Sequence, residues 1–158
     1  MKSNFLKESE FKQILKATPL VSIDVIVRDT AGRVLLGLRK NAPAKGFWFV
    51  PGGRVLKDES LDDAFLRIMA EELNQGGARS RAVFLGVYEH RYAENTFAEP
   101  GFGTHYIVLA YEVELPDKTR KLPDSQHTLY TWMLPADILH AENVHPNTRA
   151  YFTPASKT

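Results

Sequence analysis

The sequence predicts an α+β fold, a mostly β scaffold with helices around it, and two kinds of segment carry that reading. Runs such as "LVSIDVIVR" and "THYIVLAYEVEL" are β-branched and apolar with a period near two, the signature of strands. Between them, "LDDAFLRIMAEEL" repeats its apolar residues at helical spacing. No repeat, low-complexity run or Pro/Gly/Ser-rich linker divides the 158 residues, so residues 1–158 read as a single domain with an N-terminal helical segment over about 1–18.

Phe11, Ile14 and Leu15 fall on one face of a short helix over residues 8–17, which Pro19 ends. Residues 20–28 and 33–39 read as strands of a hairpin around the turn "DTAG". The loop "NAPAKG" leads to "FWFV", a short strand halted by Pro51. A glycine-rich loop then opens a helix that Ser60 caps, with Asp63 completing the capping pattern; it runs to about residue 74 and the glycine pair at 76 and 77 ends it. Strands follow at 81–90, 104–115 and 129–134, and a helix at "PADILHA".

A content of 44% hydrophobic and 25% charged residues is that of a globular protein and excludes a disordered chain. Net charge is +1 with the cations scattered, which argues against nucleic-acid binding through a basic face. There is no cysteine, hence no disulfide, thiolate nucleophile or Cys-bound zinc. The acid-punctuated N-terminus lacks an apolar run suited to a signal peptide or membrane span, and a soluble, cytoplasmic protein is the expectation.

The central helix contains one anomaly. Leu61, Ala64, Phe65 and Ile68 form its apolar stripe, and Glu72 continues that stripe where packing alone would ask for Leu or Ile. Either Glu72 turns to solvent at a frayed end or it faces a cation, with the Gly52–Gly53 pair permitting close backbone approach.

The spacing resembles the box of the Nudix superfamily, G-x5-E-x7-R-E-U-x-E-E-x-G-U with U aliphatic. Gly53, Glu59, Arg67, Met69, Glu71 and Glu72 match, while Ile68, Asn74 and Gln75 depart from the pattern. The resemblance implies the Nudix fold, a mixed β-sheet sandwich flanked by α-helices. Taken with "TPLVSIDVIV", "GFWFVPGGRVLKDE", "YEHRY", "THYIVL", "LPDSQH" and "NVHPNTRAYF", the chain is similar to the GDP-mannose mannosyl hydrolases, a Nudix branch lacking the first box glutamate after the arginine.

That branch implies hydrolysis of GDP-mannose, with GDP-glucose as a second substrate, by water attack at the anomeric carbon; the alternatives are Nudix pyrophosphohydrolase attack at the phosphorus of a nucleoside diphosphate derivative, or a non-catalytic nucleotide-sugar-binding module. Its Mg²⁺, one per site, would be held by the carbonyl of Gly52 and by Glu72 and Gln126. The general base would be His127, whose imidazole titrates near neutrality. Asp24, Arg39, His90 and Tyr106 would hold or help expel GDP, and Arg54 would lie beside the diphosphate. Guanine would be recognised through Phe5, Leu6 and Phe11 across a homodimer. From the residues alone, Phe11 reads as a packed helix residue, His127 as a solvated loop histidine, Gln126 as an ordinary polar residue, and His90 and Tyr106 as sheet-face residues. Arg67 reads as a structural partner within the box, supported by Glu59 and Glu71.

Overall fold

The computed structural model describes residues 6–115, 122 and 127–154, of residues 127 and 128 the backbone alone. Helix α1 (Glu8–Ala17) follows the predicted span, and the Glu10 carboxylate accepts from the Lys7 N–H, satisfying one of its free first-turn donors. Strands β1 (Leu20–Arg28), β2 (Val34–Arg39), β3 (Trp48–Phe49) and β4 (Gly52–Arg54) precede helix α2 (Leu61–Leu73). A 3-10 turn at Arg79–Arg81 leads to β5 (Val83–Tyr92), β6 (Thr104–Glu114) and β7 (His127–Met133). Helices α3 (Pro135–His140) and α4 (Pro146–Arg149) and a 3-10 turn at Ala150–Phe152 follow.

The strands form a mixed seven-stranded sheet in the order β3-β2-β1-β6-β5, with β4 paired to β1 and β7 to β2. The expected β1–β2 hairpin is confined to the pair Arg28↔Val34. Beyond it β1 runs parallel to β6 along its whole length, and β2 pairs with β7. The reason lies in β1 itself, which is buried at almost every position and so belongs in the sheet interior rather than in a two-stranded ribbon. Its alternation still sorts the core: Ile23, Val25 and Val27 pack with α2 residues Phe65, Ile68 and Met69, while Ile26 joins a second cluster with Val34, Leu36 and Ile138.

Two local expectations are corrected and one helix is added. Residues 52–54, expected as loop, form a strand that pairs antiparallel with β1, placing Gly52 opposite Asp24. Helix α2 ends on Asn74 in the left-handed conformation (φ 52°, ψ 38°), ahead of the glycine pair, because Asn tolerates that region and its N–H reaches back to the Ala70 carbonyl. Helix α4 has no counterpart among the elements the sequence predicts; only four residues long, it starts on Pro146 and is capped by the His145 ring, which accepts from the Asn147 N–H at 3.1 Å. No helix among the described residues is long and apolar enough to cross a membrane.

Candidate active site

The box loop is held by one arginine. Arg67, from the middle of α2, donates through Nε to Glu59 Oε1 (2.7 Å) and through NH2 to Glu59 Oε2 (2.9 Å) and the Arg54 carbonyl (2.7 Å). Its NH1 meets Glu71 at 3.0 Å. Glu59 in turn accepts from the Leu56 N–H, and the guanidinium beside it holds its carboxyl below the usual range. Ser60 caps the helix by accepting from Asp63 N–H, as predicted.

Ile68 occupies the ground between loop and helix. It is 1% exposed, and a Cβ added to Gly53 would come within 3.1 Å of its Cγ1, so the isoleucine fills the space beside the glycine pair. One turn on, Glu72 is only 7% exposed, which removes the frayed-end reading. Burial, then the charge of Glu71, raises its carboxyl to about 7; Arg39 opposes this and Asp24 adds to it. Glu71 points outward, its side chain 60% exposed.

Glu72 opens into a cavity of about 270 Å³ between α1, the glycine strand β4 and the sheet. Asp24, Arg39, Gly52, Arg54, His90 and Tyr106 all line it, so residues scattered over 80 positions of the chain converge on one space. His90 and Tyr106 are register partners on β5 and β6. Phe11 also lines it, beneath the Arg54 guanidinium at 4.3 Å and edge-on to Phe97.

The cavity divides by charge. Arg39 and Arg54 supply fixed cations, and Arg39 Nε is buried with no hydrogen-bond partner, a donor waiting for an acceptor that the described residues do not supply. Asp24 is half-buried; burial raises its carboxyl to about 6, against the pull of a Tyr151 hydrogen bond and of Arg39. His90 is held neutral, its imidazole lowered to about 4 by burial and by His145. Tyr92, on the same wall, is raised to about 12 by burial.

Whether a metal fits can be judged from these donors. Among the described residues no group of three or more His, Asp or Glu side chains could hold one. A buried carboxylate whose charge is disfavoured by burial and by two acidic neighbours nevertheless fits one hard cation, with Gly52 beside it on the cavity wall, whereas Ile68 offers no oxygen.

Four predicted residues lie outside this picture. Phe5 and Gln126 fall outside the described residues, as does the His127 side chain. The His127 backbone is the register partner of Arg39 across β2 and β7, which brings that position beside the cavity's arginine. Leu6 is 48% exposed and does not line the cavity. Sequence reasoning missed Tyr151, whose hydroxyl lies 2.5 Å from Asp24 Oδ2 and 3.3 Å from His90 Nε2. Its segment "NVHPNTRAYF" carries part of the family resemblance, but no periodicity assigns that tyrosine a role.

Comparison with known proteins gives the following. The family model described as NUDIX domain matches residues 18–155. The low-salt glycan biosynthesis protein Agl8 of Haloferax volcanii is 39% identical over 147 residues, covering 92% of this chain and 88% of that protein. The MutT NUDIX hydrolase of Burkholderia pseudomallei superposes with a TM-score of 0.69 at 27% identity, covering 88% of this chain and 99% of that one. The MutT protein of Methanosarcina mazei Go1 does so at 0.68 and 24% identity, covering 86% and 92%, and bears on the fold alone.

Proposed function

This chain belongs to the Nudix family, and from that premise we propose that it hydrolyses a GDP-sugar, GDP-mannose first and GDP-glucose second, to GDP and the free sugar. Nudix hydrolases generally use a divalent cation such as Mg²⁺. The observation that carries the proposal is Ile68 packed against Gly53: a carboxylate that would help gather cations around an attacked phosphorus is replaced by core, and Glu72 remains as the buried acid at the cavity. A site with one cation suits a departing diphosphate better than assembly of a nucleophile on phosphorus. The kinship with a glycan biosynthesis protein supports a nucleotide-sugar substrate.

In this reading the diphosphate lies toward Arg39 and Arg54, where the unpartnered Arg39 Nε finds its acceptor. Glu72, Gly52 and Gln126 would hold one Mg²⁺, which supplies charge neutralisation of the leaving GDP. His127 takes the proton of the attacking water. The new bond joins water oxygen to the anomeric carbon; the bond from that carbon to the β-phosphate oxygen breaks, its electron pair leaving with GDP and the configuration inverting. A homodimer is part of the proposal, Phe5 and Leu6 of one copy completing the guanine site at Phe11.

Turnover of GDP-mannose in ¹⁸O-water tests this. The label enters mannose and GDP stays unlabelled. GMP and mannose 1-phosphate as products would instead establish attack at phosphorus.

A further inference from the structure

We infer that Tyr151 is a positioning residue that fixes the protons of the cavity wall, through the chain His90 Nε2–H to the Tyr151 hydroxyl to Asp24 Oδ2. It deepens the proposed reading of the pocket, and its main readout does not depend on turnover.

A phenol has one proton to donate. At 2.5 Å from Asp24 Oδ2 that proton is committed to the carboxylate, so toward His90 Nε2, at 3.3 Å, the phenol oxygen can only accept. His90 must therefore carry its proton on Nε2 and keep Nδ1 as a bare acceptor. With Oδ2 engaged, Asp24 turns Oδ1 toward the Gly52 backbone, where a Cβ on the glycine would collide with it. Tyr151 thus settles two site residues at once: which oxygen of Asp24 is free and which nitrogen of His90 accepts.

The tyrosine is itself held independently of its hydroxyl. Its ring meets Tyr88 edge-on at 4.7 Å, packs against the cluster of Ile26, Val50 and Val144, and sits on the 3-10 turn that follows α4. Burial and the Asp24 charge push the phenol well above its ordinary range, keeping it a donor. This role is distinct from substrate contact: Tyr151 is absent from the cavity lining, and Asp24 and His90 are present in it.

The test is the tautomer of His90, read by long-range ¹H–¹⁵N correlation on histidine-labelled protein, its signals assigned by their loss in His90→Gln. The wild type should show a protonated Nε2 and a bare Nδ1. In Asp24→Ala the phenol proton loses its acceptor and turns to His90 Nε2, so the imidazole proton should move to Nδ1. A His90 that keeps Nε2–H in Asp24→Ala, or shows Nδ1–H in the wild type, overturns the inference. Tyr151→Phe retains the ring packing and should lower kcat on GDP-mannose about ten- to hundredfold, the worth of one hydrogen bond to a charged group, with KM little changed. A kcat within about twofold of wild type also overturns it. Failure of the GDP-sugar reading would appear differently, as a wild type inert on GDP-mannose, and the tautomer would still decide the role of Tyr151.

Discussion

Replacing Glu72 with Gln in metal-free protein should change how stability depends on pH. The carboxyl ordinarily titrates at 4.5 and in the folded protein at about 7. Between these values the native state holds a proton that the unfolded chain has released, so stability falls as pH rises through this window and stays low above it. At about 1.4 kcal/mol per pH unit the full penalty is ~3 kcal/mol. Asp24, raised to about 6, acts in the same direction but is present in both proteins, so most of its own pH dependence cancels in the difference between them. The buried amide of Gln carries a desolvation cost of its own, about 1–3 kcal/mol if unpaired, but that cost does not vary with pH. Urea denaturation in EDTA from pH 4.5 to 7.5 reads the effect: the wild type should lose ~3 kcal/mol relative to the variant, and Mg²⁺ should recover much of that loss in the wild type alone. Parallel stability curves would refute the argument, since they would mean that Glu72 carries its charge in the fold without penalty.

Three further outcomes follow from the site. Arg67→Ala leaves Glu59 half-buried and the Arg54 carbonyl unmet, and should cost about 2–4 kcal/mol in urea denaturation, whereas Glu71→Ala, at an exposed end of the same network, should stay within about 0.5 kcal/mol. Ile68→Glu puts a carboxylate into the core beside Gly53; a loss of ~3–5 kcal/mol in EDTA should be partly reversed by Mg²⁺, read by the same melts. His127→Gln should lower kcat by about 10²- to 10⁴-fold, the usual worth of a general base, and turnover near that of wild type in steady-state assays would remove His127 from the role.

What the sequence reveals of this protein divides along physical lines. Helix α1, strand β1 and the capped start of α2 follow from local patterns, because amphipathic spacing and a serine cap act within a few residues. The position of Glu72 within an apolar stripe was visible for the same reason, though its burial had to be settled by what packs over it. Pairings were not legible. Nothing local says that β1 leaves β2 after one pair to run parallel with β6, since that choice is made by burial on both faces of β1. Tyr151 escaped on the same account: its partner Asp24 is 127 residues away, and only the tertiary fold brings a short C-terminal turn against the first strand.

The two jobs of the glycine-to-helix box are separable, which explains how it can lose a carboxylate and stay folded. Glu59 and the Arg54 carbonyl are tied to Arg67, from the helix's outer side, and that tie fixes the loop without any cation. The other job, which the proposed function makes cation binding, falls to Glu72, on the side that faces the cavity. Ile68 lies between them, and an aliphatic residue there strengthens packing against Gly53 and the α2 core while subtracting only from the cation side. A change at that one position can therefore alter how much positive charge the site gathers without moving the loop that presents it. In the proposed reading the chemistry is completed from elsewhere in the fold, by the arginines of β2 and β4 and by Asp24 and His90, which Tyr151 joins through its hydroxyl.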